Sequence, residues 1–265
     1  MYSKFQLAKK YFRYCFTAAN GKGHGVHSPF VFAFIKFVMN DKKHYHIYDK
    51  AEALRNELLN NDLEIDVEDF GAGSSVIKTK KRKIKDIAAS SLKAKKYSRL
   101  LFRMVQYYGA EQVLELGTSF GITTVYLASA GNKPVVITME GSLAIAGIAQ
   151  RNFDRLERED IRLIPGDFDQ TLPGFLSTSP KIDLVFLDGN HRKEPTLKYF
   201  SELLRSSHEN TIMVFDDIHW SREMEEAWQE IKQHASVTLT IDLFFIGIVF
   251  FREEFKVKQH FTIRF

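Results

Sequence analysis

The 265-residue chain is 45% hydrophobic and 26% charged, a balance that excludes a wholly disordered or collagen-like polymer and suits one large globular domain or a domain with an extension. Its longest apolar run, Leu243–Phe251, has nine residues including Gly247, about half of what a bilayer span needs. The single cysteine, Cys15, excludes an internal disulfide and a multi-cysteine zinc site.

The net charge of +4 is unevenly placed. Lys78–Lys96 holds nine basic residues and one acid, Asp86, so the remainder is mildly acidic. General affinity for nucleic acid is therefore not indicated. The first ten residues lack the apolar core of a secretory leader. Together with the lone cysteine, this places the protein in the cytoplasm as an expectation.

The first elements read as helices. Lys4–Ala19 is the first, with Cys15 as a buried helix residue. Ser28 and Pro29 start the second: the hydroxyl caps free amides and Pro suits the first helical position. A third covers Tyr48–Leu59. The stretch Glu64–Ser75 contains DFGAGSS; with no long apolar strand before it, a plain loop fits better than a phosphate loop. Lys96–Tyr108 places Leu100, Leu101, Met104, Val105 and Tyr108 on one helical face.

From Gln112 strand, turn and helix alternate. Strands are expected at Gln112–Leu116, Pro134–Met139, Ile161–Ile164, Ile182–Leu187 and Thr211–Phe215, as the continuous apolar runs of parallel strands buried on both faces. Helices fall at Ile122–Ser129, Ser142–Arg158, Glu194–Ser206 and Ser221–His234. Val237–Asp242 and Phe245–Arg252 form an antiparallel hairpin. The reading is an α/β class: a doubly wound, mostly parallel seven-stranded sheet, Rossmann-like, with a C-terminal hairpin. Residues 1–95 form a helical N-terminal extension, and 96–265 the ligand-binding domain. Such sheets bind ligands at the carboxyl ends of their strands.

The first sheet strand runs into VLELGTSFG, where Glu115, Gly117 and Gly121 are spaced E-x-G-x-x-x-G. Glycines at a strand-to-helix turn let a ligand approach the backbone. Glu140 ends the next strand, suited to accept from both ribose hydroxyls of a nucleoside. The later glycines of a dinucleotide fingerprint are replaced by Ser119 and Ile122, which removes the pyrophosphate seat. A nucleoside ligand without pyrophosphate, such as S-adenosylmethionine, fits better.

Glu115–Gly121, Glu140, Gly166–Asp167 after the third strand, Asp188 after the fourth, and the closing hairpin resemble the class I S-adenosylmethionine-dependent methyltransferases. The resemblance covers about Lys96 to the C-terminus. Within that family the chain is similar to the small-molecule O-methyltransferases of the catechol O-methyltransferase branch. The resemblance implies cofactor contacts from Glu115, Gly117, Thr118, Ser119, Gly121, Thr123, Glu140, Gly141, Asp167, Phe168 and Asp188. Glu115 and Gly117 would shape the methionine end, Ser119 and Thr123 reach its carboxylate, Glu140 bind the ribose, and Gly166–Phe168 border the adenine.

The fourth and fifth strands end in LDGNH and FDDIHW. The branch binds magnesium through acids at these places, which implies Asp188, Asp216 and Asp217 as ligands of a divalent cation, magnesium or calcium. Asp217 replaces an Asn of the branch, and His191 replaces its catalytic Lys. His191 is thus the implied general base, with His219 a lesser candidate. The alternative is that these acids cap helices and hold loops.

The expected activity is O-methylation of a small-molecule acceptor. Two other readings stay open: an RNA methyltransferase using the basic strip 78–96, and a non-catalytic S-adenosylmethionine-binding module. Aromatics do not interleave with the basic strip, which disfavours base stacking. The segment before the sheet often covers the substrate in such enzymes, and His24, His27 and Phe30 could line an acceptor pocket; a capped surface turn is the alternative. The acceptor and the oligomeric state are not legible.

Overall fold

A computed structural model describes residues 1–69, 78–178 and 181–265. In chain order the elements are α1 (Lys4–Thr17), α2 (Pro29–Phe34, continued by a π-helical turn at Ile35–Met39), α3 (His46–Leu59), β1 (Glu64–Asp69), β2 (Lys78–Lys83), α4 (Ile84–Ser91) and α5 (Lys95–Tyr108). The alternating part follows: β3 (Gln112–Leu116), α6 (Ile122–Ala128), β4 (Val135–Glu140), α7 (Leu143–Arg155), β5 (Ile161–Pro165), α8 (Phe168–Leu176), β6 (Leu184–Leu187) and α9 (Lys193–Leu203). Last come β7 (Ile212–Asp216), α10 (Arg222–Gln233), β8 (Leu239–Asp242), β9 (Ile246–Phe250) and β10 (Gln259–Thr262).

The chain forms two compact units, Lys42–Thr178 and Met1–Asp41 with Ser179–Phe265. The segment 1–95 is thus divided between them. In the Lys42–Thr178 unit, β3, β4 and β5 are parallel, in that order. Val113, Leu114, Glu115 and Leu116 of β3 are all buried, as a strand covered on both faces must be. Helix α5 presents Tyr97, Leu100, Leu101, Met104 and Val105 to the core and ends at Gly109 with φ 65°, the left-handed cap that glycine makes without strain.

The other unit holds five strands in the order β10-β8-β9-β7-β6. Strands β6 and β7 are parallel; β9 runs antiparallel to β7 and β8. This is the Rossmann-like α/β architecture expected, with the predicted hairpin at β8–β9. Among the described residues there are eight such strands, five and three, where the sequence predicts seven. The addition is β10, parallel to β8. Gly247 of β9 is required by packing: a Cβ there would lie 2.8 Å from two ring atoms of Trp228 in α10.

The N-terminal region is not wholly helical. Strands β1 and β2 form an antiparallel hairpin, with Glu64 opposite Lys83 and Asp66 opposite Lys81. Lys83 and Lys85 both pair with Asp62, at 3.1 and 2.7 Å. Half of the basic strip is therefore a strand facing an acidic one rather than a helix–loop face. Glu64–Asp69 is strand, not loop, and the rest of the DFGAGSS stretch, Phe70–Ser75, lies outside the described residues. Among the described residues, no helix is long and apolar enough to cross a membrane.

Candidate functional site

In the Lys42–Thr178 unit the candidate ligand site is the turn after β3 and the end of β4. The backbone reverses direction within five residues, with Gly117, Ser119 and Gly121 at φ 107°, 49° and 82°. The N–H groups of Gly117 and Thr118 both donate to the Met139 carbonyl, at 2.9 and 3.2 Å, tying the turn to β4. Gly121 meets a second demand. A Cβ there would stand 2.3 Å from the Phe153 ring of α7, so packing as well as φ requires glycine.

Glu140 is held by backbone. Ser119 N–H donates to its Oε2 at 2.9 Å and Ser142 N–H to its Oε1 at 3.0 Å. Burial pushes its pKa up, opposed by the amides of Ser142, Ser119 and Gly141. A carboxylate oxygen has two lone-pair sites, so each still has acceptor capacity in a fixed direction. That suits a vicinal diol. Gly166, at φ 132°, donates to the Glu140 carbonyl at 2.8 Å, which sets the turn after β5 beside Glu140. Asp167 caps α8, accepting from Asp169 N–H at 3.0 Å, and Phe168 is the first residue of that helix.

Glu115 is fully buried rather than set in an open turn. Its Oε2 accepts from the hydroxyls of Thr124 at 2.5 Å and Thr138 at 2.7 Å. The Thr138 hydroxyl also meets that of Thr118 at 2.6 Å. Glu115 thus joins β3, β4 and α6, and Thr124 and Thr138 are parts of the site that sequence reasoning missed. Thr123 is buried at the start of α6, and the Ser119 hydroxyl meets Ser91 at 2.7 Å.

In the other unit, Asp188 follows β6 and Asp216 ends β7. One ligand atom from each of Asp188, His191 and Asp216 lies within 4.8 Å of the others. His191 Nε2 is 3.7 Å from Asp188 Oδ1. The intervening Asn190 has φ 53°, a left-handed turn Asn tolerates, and it folds His191 back toward Asp188. Asp216 is 1% exposed, so its carboxylate is presented from within the sheet. The two carboxylates are placed to hold a hard divalent cation, with the imidazole beside them. Asp217, expected as the third acid, stands outside this group; it has φ 54°, and its carbonyl accepts from Trp220 N–H at 2.9 Å in the turn before α10.

His219 is committed elsewhere, with its two ring nitrogens 2.9 and 2.8 Å from carboxylates of Glu225 and Asp242. It has no nitrogen left for a substrate proton. Phe30 packs edge-on against Phe250 and Phe255 at 5.0 and 5.4 Å, while His24 and His27 are exposed. Cys15 is half-buried on α1, against the cluster containing Tyr14 and Phe244.

Residues 114–218 match the family model described as a methyltransferase domain. A catechol O-methyltransferase from Niastella koreensis is 32% identical over 126 residues, 46% of this chain and 55% of its own length. Another from Mycobacterium tuberculosis is 33% identical over 111 residues, 41% and 49% of the two lengths. The chain thus spans about half the length of the curated relatives it matches. Among solved structures, an O-methyltransferase from Bacillus cereus in complex with SAH superposes with TM-score 0.57 at 18% identity, over 79% of this chain and 92% of that one. An O-methyltransferase from Streptomyces achromogenes in complex with SAM gives 0.57 at 16% identity, over 82% and 95%. At such identities these structures share the fold.

Proposed function

We propose that this chain, which carries a class I S-adenosylmethionine-dependent methyltransferase domain, methylates an oxygen of a small molecule. The observation that carries the choice of oxygen is the convergence of Asp188, His191 and Asp216 at the ends of β6 and β7. A hydroxyl acceptor must lose a proton as it is methylated; the two acids of this set would hold a cation whose charge favours the oxyanion, and the imidazole is a base to take the proton.

Bound S-adenosylmethionine supplies an electrophilic methyl on a sulfonium that is already a good leaving group. The protein's task is then alignment and deprotonation. Glu140, fixed by Ser119 and Ser142, holds the ribose diol. The reversed turn 117–121 lets the methionyl part lie against backbone. Asp188 and Asp216 would hold a divalent cation whose charge lowers the acceptor's pKa. His191 receives the hydroxyl proton. Imidazole is the side chain suited to this role, since either ring nitrogen can take a proton.

The acceptor is a small molecule rather than RNA in this reading. The acids of β1 opposite the basic strip, and the Asp62 pairs with Lys83 and Lys85, support that choice. We place the enzyme in the cytoplasm, where S-adenosylmethionine is made. The test is a methyl-transfer screen over catechols, sugars, hydroxy acids and bulk RNA, with and without magnesium. A methylated hydroxyl compound, with turnover lost in His191→Gln, is expected. Methylation of RNA alone overturns the substrate class. Tight binding of S-adenosylmethionine without turnover on any acceptor would favour the non-catalytic module.

A further inference from the structure

Helix α1 is apolar on two sides. Its inner side, carrying Leu7, Tyr11 and Tyr14, packs with the following Ala18 on Phe244 and Phe245 within its own unit. It is anchored there by Lys10 and Tyr2, which reach the Glu225 carboxylate at 2.9 and 2.6 Å. On the outer side Phe5, Phe12 and Phe16 are 80%, 66% and 82% exposed. At 100° per residue these three fall within about 40° of one another, forming one stripe. Phe12 and Phe16 already touch, with ring centroids 6.1 Å apart. A helix apolar on both sides is normally covered on both.

The charge around the stripe identifies the cover. Lys9 and Arg13 border it on one side and Lys4 on the other, all exposed. The helix, KFQLAKKYFRYCFT, carries no acid at all. A second copy docking isologously would bring these cations against their own copies, which is repulsive. Three partly exposed rings also offer at most about 600 Å², short of the roughly 800 Å² per partner of a standard interface. Aromatic rings flanked by Lys and Arg on a helix lying along a surface are instead the composition that binds an anionic lipid bilayer: rings enter the headgroup–acyl boundary and the cations meet lipid phosphates.

We propose that the outer face of α1 is a docking surface for an anionic membrane. The rigid anchoring of the inner face keeps the stripe presented, so no unfolding of the enzyme is needed. The inference does not depend on the acceptor or on the acid–imidazole site.

The test is co-sedimentation of the full chain with vesicles of equimolar phosphatidylcholine and phosphatidylglycerol, against phosphatidylcholine alone, with light scattering for the vesicle-free state. The wild type should partition at least about tenfold more strongly to the anionic vesicles, and Lys9→Glu and Arg13→Glu should each cost about fivefold. Phe5→Ser/Phe12→Ser/Phe16→Ser should lose vesicle binding while keeping a Tm near that of the wild type, since all three rings are mostly exposed. Equal partition to both vesicles, or none, overturns the proposal. So does a vesicle-free dimer that the triple substitution makes monomeric, which would assign the stripe to a second copy.

Discussion

His219 Nε2 lies 2.8 Å from Oδ2 of Asp242. Its other nitrogen, Nδ1, lies 2.9 Å from Glu225, whose carboxylate also receives Tyr2 and Lys10. Asp242 Oδ1 accepts from Phe244 N–H at 2.8 Å, and the Phe244 ring stacks on the imidazole at 5.2 Å. An imidazole with a carboxylate at each nitrogen is held as a cation.

Burial opposes that charge, but the bonds to Asp242 and Glu225 outweigh it and raise the pKa of His219 above its ordinary 6.5. The folded state then keeps a proton that the unfolded chain has released. The stabilisation is complete below about pH 6.5, the unfolded value, and disappears as pH rises through the raised folded value. The Tm gap between wild type and His219→Gln should therefore be largest near about pH 6 and narrow by about 2–4 °C toward alkaline pH, for about 1 kcal/mol lost. Thermal scans across pH check this; a gap that stays constant or widens would contradict a cationic His219.

Glu140→Ala should weaken binding of S-adenosylmethionine and its demethylated product by about 1.5–3 kcal/mol, the scale of hydrogen bonds to a charged group. Isothermal calorimetry measures it directly. Unchanged affinity would remove Glu140 from the ribose contact and leave it as a tie between the turns after β3 and β4.

Magnesium or calcium should raise Tm in proportion to saturation, as any ligand of the native state does. Asp216→Asn should abolish that rise while leaving affinity for the demethylated cofactor product nearly intact. A wild-type enzyme fully active in chelator would instead make Asp188 and Asp216 loop anchors.

Gly247→Ala places a methyl 2.8 Å from the Trp228 ring and 3.0 Å from Ile218. The overpacking should cost about 1–3 kcal/mol, read by urea denaturation. Gly174→Ala is the control. It lies in α8 with nothing within 4 Å of the added carbon. Alanine is the better helix former, so this change should be neutral or stabilising by up to about 1 kcal/mol.

The α/β rhythm was legible because buried parallel strands are runs of apolar residues, as Leu184–Leu187 and Ile212–Phe215 are. The β1–β2 hairpin was not, because β1 offers only Ile65 and Val67 as apolar residues and β2 none. Helix α8 was hidden by Pro173 and Gly174 within it, and β10 by being a short edge strand of half-buried and exposed residues. At the site, acids at strand ends were visible from spacing. The return of His191 to Asp188 was not, since it depends on the left-handed Asn190. The threonines on Glu115 come from two different elements, which no local spacing rule pairs.

Tyr14 donates its hydroxyl to the carbonyl of Ile263 and accepts from Phe265 N–H at 3.0 Å. Ala19 bridges to Ile263 as well. This unit is thus closed by contacts between residues 249 apart in sequence, the kind of long-range pairing that folds slowly. Its consequence lies in synthesis. At roughly 5–20 residues per second, α1 leaves the ribosome more than about ten seconds before its partners exist. During that interval both its apolar sides are bare, the one that will be packed by Phe244 and the one bearing Phe5, Phe12 and Phe16. The nascent chain should therefore be a client for chaperones that hold aromatic segments, and its yield in cells should depend on them more than its final stability would suggest.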